Sequence, residues 1–421
     1  MNEQKPLTWI LNPKAQQTVP SPAAEQVLPL SSFHMARKFH RQLPGYRMSP
    51  LKALPHLAAM LGVGGIWVKD ESQRMSLNSF KIMGGSFAVY RFLNEKFGTP
   101  GHDLTYKELI SPEMHAKISH ITFTSATDGN HGRGLAWAAQ QLGCPCVIYV
   151  HKDTTQARID AIAKSGAEVR VVQGNYDAAV RQCSQDATAN GWQVISDTSW
   201  DGYEEVPAWV MQGYTTMYQE AQEQFSAQGI TKPTHVFVQA GVGALAAATI
   251  GFYHQLFGAD QPICVVVEPS EAACLYESAK AADGEPHTVH GELNTIMAGL
   301  ACGEPSPLAW KVLWDCANAF VACPDYVAAK GMRVYAVPLD GDPLVISGES
   351  GAVTLGALMF IMEYPNAHAL RDSLGLGPDS QVLLINTEGN TDPEYFRRVA
   401  WEGVLPVPAE YHWLPTWREA S

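Results

Sequence analysis

A glycine-rich turn between an apolar strand and an Ala-rich helix is the segment best suited to bind an anion. In HVFVQAGVGALAAATIG the strand runs into Gly241, Val242, Gly243, Ala244 and Leu245 before the helix begins. Glycines let the backbone turn tightly and bring its N–H groups close to an anion, and a helix N-terminus adds partial positive charge and unpaired donors. The turn predicts a phosphate cradle without a basic side chain, and a tight packing turn is the alternative. No G-K-[ST] follows, so this is not a nucleotide P-loop.

A lysine among apolar neighbours is the candidate for covalent chemistry. Lys81 follows Asn78-Ser79-Phe80 and precedes Ile82-Met83, near the start of a predicted helix. A desolvated amine loses its proton more readily, as a lysine that forms a Schiff base must. A solvated surface lysine is the alternative interpretation.

A second strand–loop–helix turn carries side chains suited to a substrate carboxylate. It lies in TFTSATDGNHGRGLAWAAQQLG, and its hydroxyls and N–H groups form another potential anion site. A carboxylate at Asp128 is unusual there because it would repel a bound carboxylate, and a helix cap is the alternative. The candidate residues of this loop are Ser125, Thr127, Asp128, Gly129, Asn130 and His131.

Further candidates follow other predicted strands. Asp197, in VISDTSW, is predicted to face the cleft, with a cap or turn residue as the alternative. Thr387 follows the apolar strand VLLIN. Glu349, in SGESGAV, is predicted to face the same region, without an assigned role.

The elements that must position these residues are strands alternating with helices. Several strand candidates are nearly all apolar, as expected for strands buried on both faces, and many helical stretches end in Gly. This alternation predicts an α/β fold of two open, mostly parallel twisted sheets with helices on both faces. Ligands in such folds bind at the carboxyl ends of the strands. The predicted strands are 66–70, 121–125, 146–150, 167–172, 192–196, 235–239, 263–268 and 381–386.

The alternation comes in two blocks and predicts two domains. Residues 98–200 are predicted to form a smaller inserted α/β domain, and residues 1–97 with 201–421 a larger one. Residues 1–35, rich in Pro, Gln and Ser, are predicted to be an arm on the surface.

Composition narrows the class of protein. The 421 residues include 29 Lys and Arg against 42 Asp and Glu, a net charge of −13. A nucleic-acid-binding domain should carry a basic stripe instead, and an acidic surface disfavours anionic membranes. With 46% apolar and 17% charged residues, the chain is not largely disordered. Because the overall charge is negative, any anionic ligand must be bound by a local site and not attracted by the protein's net charge.

The cysteines and termini predict a cytoplasmic protein. Eight cysteines are too sparse for a disulfide scaffold in a chain of 421 residues. No C-x-x-C pair occurs, so the cysteines give no support for a metal site. The expectation is buried reduced thiols, with a bridge between Cys274 and Cys302 left open. Neither a secretory signal nor a membrane-spanning segment is predicted.

Together the three turn segments resemble the fold-type II family of pyridoxal-phosphate enzymes. The resemblance implies that Lys81 carries pyridoxal 5'-phosphate as a Schiff base and that Gly241 to Leu245 hold its phosphate. Asn130 matches the asparagine at the cofactor's phenolic oxygen. Thr127 to His131 match the loop that grips the substrate carboxylate, with Asp128 in place of the usual Ser or Thr. The larger predicted domain is then the cofactor-binding one.

Longer segments narrow the resemblance within that family. ATDGNHGRGLAWAAQQLG, QAGVGA, IMAGLACGEPSPLAW, ISGESGAV and NTEGNTDPEYF are similar to members that eliminate ammonia from 2,3-diaminopropionate. The implied reaction gives pyruvate and two ammonia from a small amino-acid substrate, in a homodimer. Thr387 matches the hydroxyl residue at the pyridine nitrogen, where a hydroxyl leaves the nitrogen neutral and favours elimination over transamination.

Two bases on opposite faces of Cα would let one site process both enantiomers. Lys81 is the predicted base for the L-isomer and Asp128 for the D-isomer, where Asp128 would also attract the second ammonium group. Asp197 is assigned to the β-ammonium group or to proton transfer. His131 is either a base or a loop histidine bonded to the backbone.

Three rival functions remain. A D-serine or threonine dehydratase of the same family is disfavoured by Asp128, because a neutral β-hydroxyl needs no acidic partner. A non-catalytic binding protein on this scaffold is disfavoured by the intact Lys81 and glycine turn. A Rossmann dehydrogenase is disfavoured because no G-x-G-x-x-G opens a βαβ unit with an acidic residue in the expected place.

Overall fold

The computed structural model describes residues 7–15, 20–127 and 129–412, in which strands and helices alternate along most of the chain. The strands of this described part are β1 Thr8–Leu11, β2 Leu51–Ala53, β3 Gly65–Asp70, β4 Phe123–Ala126, β5 Cys146–His151, β6 Glu168–Val172, β7 Gln193–Val194, β8 His235–Gln239, β9 Ile263–Pro269, β10 Ala319–Cys323 and β11 Gln381–Asn386. Its α-helices are α1 Pro22–Val27, α2 Leu30–His40, α3 Pro55–Leu61, α4 Lys81–Phe97, α5 Tyr106–Leu109, α6 Pro112–Ile118, α7 Asn130–Leu142, α8 Gln156–Ala163, α9 Tyr176–Asn190, α10 Glu205–Ala227, α11 Ala244–Phe257, α12 Cys274–Ala281, α13 Pro307–Cys316, α14 Asp325–Ala336, α15 Glu349–Glu363, α16 His368–Leu374 and α17 Pro393–Ala400.

The strands form two sheets, and both are mostly parallel. The larger has the order β1-β10-β9-β8-β11-β3-β2, with only the outermost strands β1 and β2 antiparallel to their neighbours in the described part. The smaller has the order β6-β5-β4-β7 and is parallel throughout. The predicted α/β class with two open, mostly parallel sheets is confirmed.

All eight predicted strands are present, and the prediction missed three others. β2 has only three residues, and β1 and β2 both lie at sheet edges, where the apolar pattern is weak. β10, with the sequence AFVAC, is a fully buried interior strand that is absent from the predicted strands. Such short apolar runs cannot be told from buried helix by periodicity alone.

The prediction of a surface arm over residues 1–35 is wrong for the part that the structure describes. Thr8–Leu11 is a strand of the larger sheet, and its backbone pairs with β10. The chain then continues into α1 and α2, which bury Ala24, Val27 and Phe33 in the main core. The Pro-, Gln- and Ser-rich composition obscured the short amphipathic pattern of α1 and α2, two helices that are stabilised by packing against the core.

Helix α4, which begins at Lys81, lies between α10 and α7. On one side, a Cβ added at Gly84 would come within 2.5 Å of Tyr214 in α10. On the other side, a Cβ at Gly134 in α7 would come within 2.9 Å of the Cα of Ile82. These glycines therefore let three helices approach closely around the start of α4. Every strand of the smaller sheet falls between Phe123 and Val194, and the division into 98–200 and the remainder stays a prediction.

A buried group of charges anchors the turn that leads to Lys81. Arg74 donates to Glu71 and, at 2.7 Å, to Glu220 of α10, and Lys69 donates to Glu220 at 2.8 Å. These four side chains are almost wholly excluded from solvent. Buried charges of this kind persist only when paired and hydrogen-bonded, so the start of the turn is fixed on α10.

The remainder of that turn has an unusual backbone. Met75, Ser76 and Asn78 all have positive φ angles of 47°, 60° and 56°. The carbonyl of Leu77 accepts from Arg133 of α7, and Phe80 N–H donates to the carbonyl of Thr387 at 3.1 Å. Contacts from α7 and from Thr387 thus stabilise a strained backbone, which places Lys81 near the ends of the strands.

All eight cysteines lie in the described residues and none forms a disulfide there; seven are buried and Cys302 is partly exposed. Cys274 and Cys302 are therefore not bridged in this structure. Among the described helices, none is long and apolar enough to cross a membrane.

Candidate active site

A cavity of about 570 Å³ opens where the carboxyl ends of β8, β11, β4 and β7 meet. It gathers most of the residues that the sequence singled out. Those that line it are Lys81, Thr127, Asn130, Asp197, Gly241, Val242, Gly243, Ala244, Leu245 and Thr387. Strand ends of parallel sheets are where α/β folds place their ligands, so this cavity is the candidate active site.

The glycine turn forms one wall of the cavity. It connects β8 to α11, which begins at Ala244, and the first-turn N–H groups of α11 have no acceptor within the helix. Gly243 has a φ of 104°, which an L side chain rarely adopts. A Cβ at Gly241 would come within 3.1 Å of the Cys302 sulfur, so the opposite wall approaches the turn closely. The turn can hold a phosphate by backbone N–H groups and the helix dipole.

Gly243→Ala is expected to weaken cofactor binding. The added Cβ would meet Leu313 and Ala309 at 3.2 and 3.3 Å, and the left-handed backbone costs an L-residue about 1–2 kcal/mol. If the turn relaxes away from that conformation, the affinity for pyridoxal phosphate falls roughly tenfold, measured by titrating the apoenzyme. Gly258→Ala is the matched control, because Gly258 ends the same helix with a φ of 57° and has no neighbour within 4 Å. An equal loss of affinity in both variants would contradict a phosphate role for the turn.

Lys81 and Asp197 form an ion pair in the cavity, with the Lys81 Nζ donating to Asp197 Oδ2. Burial works to raise the pKa of Asp197, but the charge of Lys81, with a contribution from His131, lowers that pKa to about 2. Asp197 is therefore ionised at neutral pH beside the amine. The pairing brings together two candidates from different parts of the sequence, 116 residues apart.

Thr387 is held by a glutamine that the sequence analysis did not select. The Nε2 of Gln239 donates to Thr387 Oγ1 at 3.0 Å, and Gln239 is fully buried at the end of β8. Thr387 itself is 3% exposed and lines the cavity. Gln239 lies two residues before the glycine turn, so its position next to that turn was the available sequence signal.

Asn130, at the start of α7, faces a second residue that follows β11. Its Nδ2 donates to a carboxylate oxygen of Glu388, which is 4% exposed and lines the cavity. Glu388 directly follows Thr387 in the chain, so this contact places the Asn130 amide beside the end of β11. The first residues of α7 are thereby tied to the larger sheet.

The loop after β4 is only partly at the cavity wall. Thr127 lines the cavity, and its Oγ1 accepts from Gly129 N and Gly132 N at 2.9 and 3.1 Å. Ser125, Gly129 and His131 are not among the lining residues. Asp128 lies outside the residues that the structure describes.

Ser125 and His131 are buried behind the wall. Ser125 donates to the adjacent Ala126 carbonyl at 3.3 Å. The His131 Nε2 lies 2.8 Å from the Ile195 carbonyl, and its Nδ1 lies 3.9 Å from Asp197. The backbone-bonded interpretation of His131 matches this placement, and His131 acts on the cavity only through Asp197.

Other parts of the wall contain no residue that the sequence singled out as a site candidate. One is the stretch 292–302, which has no strand and only a short 3₁₀ turn. Another consists of residues 151–153 and 175–177, beyond the ends of β5 and β6. Glu349 does not line the cavity. It pairs at 3.2 Å with Arg158, whose side chain packs beside Gly129, so it supports the loop from outside.

The residues of the cavity fit pyridoxal phosphate. The glycine turn at the N-terminus of α11 suits its phosphate, the Lys81 amine its aldehyde, and the Thr387 hydroxyl its ring nitrogen. All three line the same cavity. The described residues contain no group of three or more His, Cys, Asp or Glu side chains placed for a metal ion.

Comparisons with known proteins agree with this chemistry. The family model of the pyridoxal-phosphate dependent enzymes matches residues 43–388. Diaminopropionate ammonia-lyase of Escherichia coli K12 is 47% identical over 373 residues, which cover 89% of this chain and 92% of the relative. The crystal structure of the Escherichia coli enzyme with D-serine has a TM-score of 0.88 at 44% identity and covers 96% of this chain and 99% of its own. A second structure of it, with an aminoacrylate-PLP azomethine reaction intermediate, has a TM-score of 0.85 at 43% identity, covering 95% and 98%.

The chain therefore belongs to the family of pyridoxal-phosphate dependent enzymes, of fold type II, and pyridoxal phosphate is its cofactor. Within that family it belongs with the diaminopropionate ammonia-lyases.

Proposed function

We propose that this chain is a pyridoxal-phosphate-dependent carbon–nitrogen lyase that eliminates ammonia from 2,3-diaminopropionate. With one water, each substrate molecule gives one pyruvate and two ammonia. The observation that carries the proposal is the Lys81 amine, paired with Asp197 in the same cavity as the glycine turn. The activity named for the Escherichia coli relative supports the choice of substrate.

Lys81 is the central residue of the proposed mechanism. Bound pyridoxal phosphate supplies the electron sink for breaking the Cα–H bond. Lys81 holds the cofactor at rest, and its Nζ is the base that takes the Cα proton of the L-isomer. The N–H groups of Gly241 to Leu245 and the hydroxyl of Thr387 hold the cofactor in place, and the Asn130 amide faces its phenolic oxygen.

Two carboxylates suit a substrate with two amines. Asp197, ionised beside Lys81, would bind the β-ammonium group or accept a proton in a transfer step. Asp128, between Thr127 and Gly129, is the proposed base for the D-isomer. The N–H groups and the Thr127 hydroxyl of that loop would bind the substrate carboxylate.

The nearest alternative is a dehydratase of D-serine or threonine. Its substrates have a neutral β-hydroxyl, which offers Asp197 and Asp128 no ammonium group to bind. A non-catalytic binding protein is disfavoured because Lys81, Asp197 and Thr387 all meet in one cavity.

A substrate panel tests the proposal. Pyruvate and ammonia release would be measured over D- and L-diaminopropionate, D- and L-serine, and D- and L-threonine. The expected kcat/KM for either diaminopropionate isomer exceeds that for the hydroxy amino acids by about 10²-fold or more, because the missing ammonium leaves buried carboxylates unpaired. A higher kcat/KM for D-serine would instead identify a dehydratase.

The proposal extends to a cytoplasmic homodimer. The family resemblance supports the homodimer, and the free cysteines with an acidic composition support the cytoplasm. Light scattering of the purified protein should give twice the chain mass of 45.9 kDa. A monomeric mass would contradict the dimer.

A further inference from the structure

Gln239 joins three elements at the wall of the cavity. Its Nε2 lies 2.8 Å from the carbonyl oxygen of Ser350 in α15 and 3.0 Å from that of Ile385 in β11. The same nitrogen lies 3.0 Å from Thr387 Oγ1. Gln239 has no exposure to solvent, so water cannot substitute for these partners.

The orientation of the Gln239 amide is fixed by chemistry. Backbone carbonyl oxygens only accept hydrogen bonds, and of the two ends of a glutamine amide only the nitrogen donates. A flipped amide would place its oxygen against the carbonyls of Ser350 and Ile385. The nitrogen must therefore face Thr387, even though the amide oxygen has no hydrogen-bond partner among the described residues.

This orientation determines where the hydroxyl proton of Thr387 points. An amide nitrogen does not accept a hydrogen bond, so the Thr387 hydroxyl cannot donate to Gln239. The hydroxyl oxygen can only accept, sharing the two Nε2 hydrogens with the carbonyls of Ser350 and Ile385. Among the described residues, Gln239 is the side chain within hydrogen-bond distance of the Thr387 hydroxyl, and Thr387 lines the cavity. The proton is thus directed into the cavity, toward the group that the cavity holds.

We infer that Gln239 is a positioning residue that sets the protonation state of the cofactor's pyridine nitrogen. A hydroxyl that must donate into the cavity binds a neutral nitrogen and disfavours a protonated one. If the amide oxygen of Gln239 faced Thr387, the Thr387 hydroxyl would donate its proton to that oxygen. The hydroxyl would then present a lone pair to the pyridine nitrogen, which favours the protonated form of that nitrogen. The inference rests on the proposed function, because it takes pyridoxal phosphate to lie against Thr387.

The nitrogen can be observed directly in the holoenzyme. Apoenzyme reconstituted with pyridoxal phosphate labelled with ¹⁵N in the ring reports hydrogen bonding and protonation through its ¹⁵N chemical shift. Wild-type enzyme should show the shift of a neutral, hydrogen-bonded pyridine across the neutral pH range. A pyridinium shift in wild-type enzyme would overturn the inference before any variant is made.

Gln239→Glu is the variant expected to present a hydrogen-bond acceptor to Thr387 in place of a donor. A buried glutamic acid would donate its proton to one backbone carbonyl and leave an acceptor oxygen facing Thr387, so the ¹⁵N resonance should move toward that of Thr387→Asp, the reference for a protonated nitrogen. Gln239→Met, of similar length, removes the donor alone and should give an intermediate shift. If Gln239→Glu does not fold, Gln239→Met decides the matter. A wild-type shift in the folded variants would overturn the inference.

The Thr387→Val variant tests whether Gln239 acts through the Thr387 hydroxyl or only supports the surrounding structure. Without the hydroxyl, Gln239→Met should leave the ¹⁵N shift unchanged, whereas a merely structural role of Gln239 would move it in both backgrounds. Reduction by borohydride and mass analysis would confirm in each sample that the cofactor is attached to Lys81. Absence of any attached cofactor in wild-type enzyme would contradict the proposed function itself, and the ¹⁵N comparison tests only Gln239.

Discussion

Lys81→Ala is expected to lose the covalent cofactor and nearly all turnover of both isomers. The amine is the group in the cavity that is placed to attach the cofactor, and it is paired with Asp197 at the start of α4. Loss of its proton-transfer role alone should lower kcat by about 10²–10⁴-fold. Borohydride reduction followed by peptide mass analysis should find the cofactor on the Lys81 peptide of wild-type enzyme and on no peptide of the variant.

Lys152→Ala is the matched control for that experiment. Lys152 also lines the cavity, but it is exposed to solvent at the rim, beyond the end of β5. Its removal should leave the cofactor attached to Lys81. A reduced cofactor on Lys152, or one that remains attached in Lys81→Ala, would contradict the assignment of the cofactor lysine.

Asp128→Asn is expected to separate the two enantiomers. The D-isomer presents its Cα proton to the face opposite Lys81, where Asp128 is the proposed base, while the L-isomer uses Lys81. Turnover of the D-isomer should fall by about 10²–10⁴-fold, the usual contribution of a general base. Turnover of the L-isomer should fall far less, measured as pyruvate release from each isomer.

Asp153→Asn provides a carboxylate control at the same cavity. Asp153 lines the rim and is exposed, so its loss should alter the two isomers to the same small extent. Equal large losses on both isomers in Asp128→Asn would contradict the two-base proposal and assign Asp128 to substrate binding in general.

The sequence predicted the parts of the site that follow from local chemistry. The strand–glycine–helix turn at Gly241 and the loop at Asn130 carry backbone requirements that few residue types meet, so they could be found without a structure. Lys81 was marked by its apolar neighbours. Six of the eight predicted strands lie inside the two sheets, where strands buried on both faces are short, apolar and bounded by turns.

The missed residues depend on packing between distant segments. Gln239 and Glu388 become site residues only because β8 pairs with β11 and α7 faces the larger sheet, contacts that span more than 140 residues. A buried glutamine inside an apolar strand is ordinary in sequence and unusual only once its carbonyl partners are known. Ser125 and His131 show the converse, because their loop reaches the cavity at Thr127 and Asn130 while they themselves are buried and do not line it.

The ratio of ammonia to pyruvate tests the proposed reaction most directly. Both products would be measured in the same samples as purified holoenzyme consumes D- or L-diaminopropionate to completion. Two ammonia for each pyruvate from both isomers is the predicted result, with no release by Lys81→Ala. A ratio of one to one, or no pyruvate from either isomer, would contradict the elimination of ammonia from diaminopropionate by this cavity.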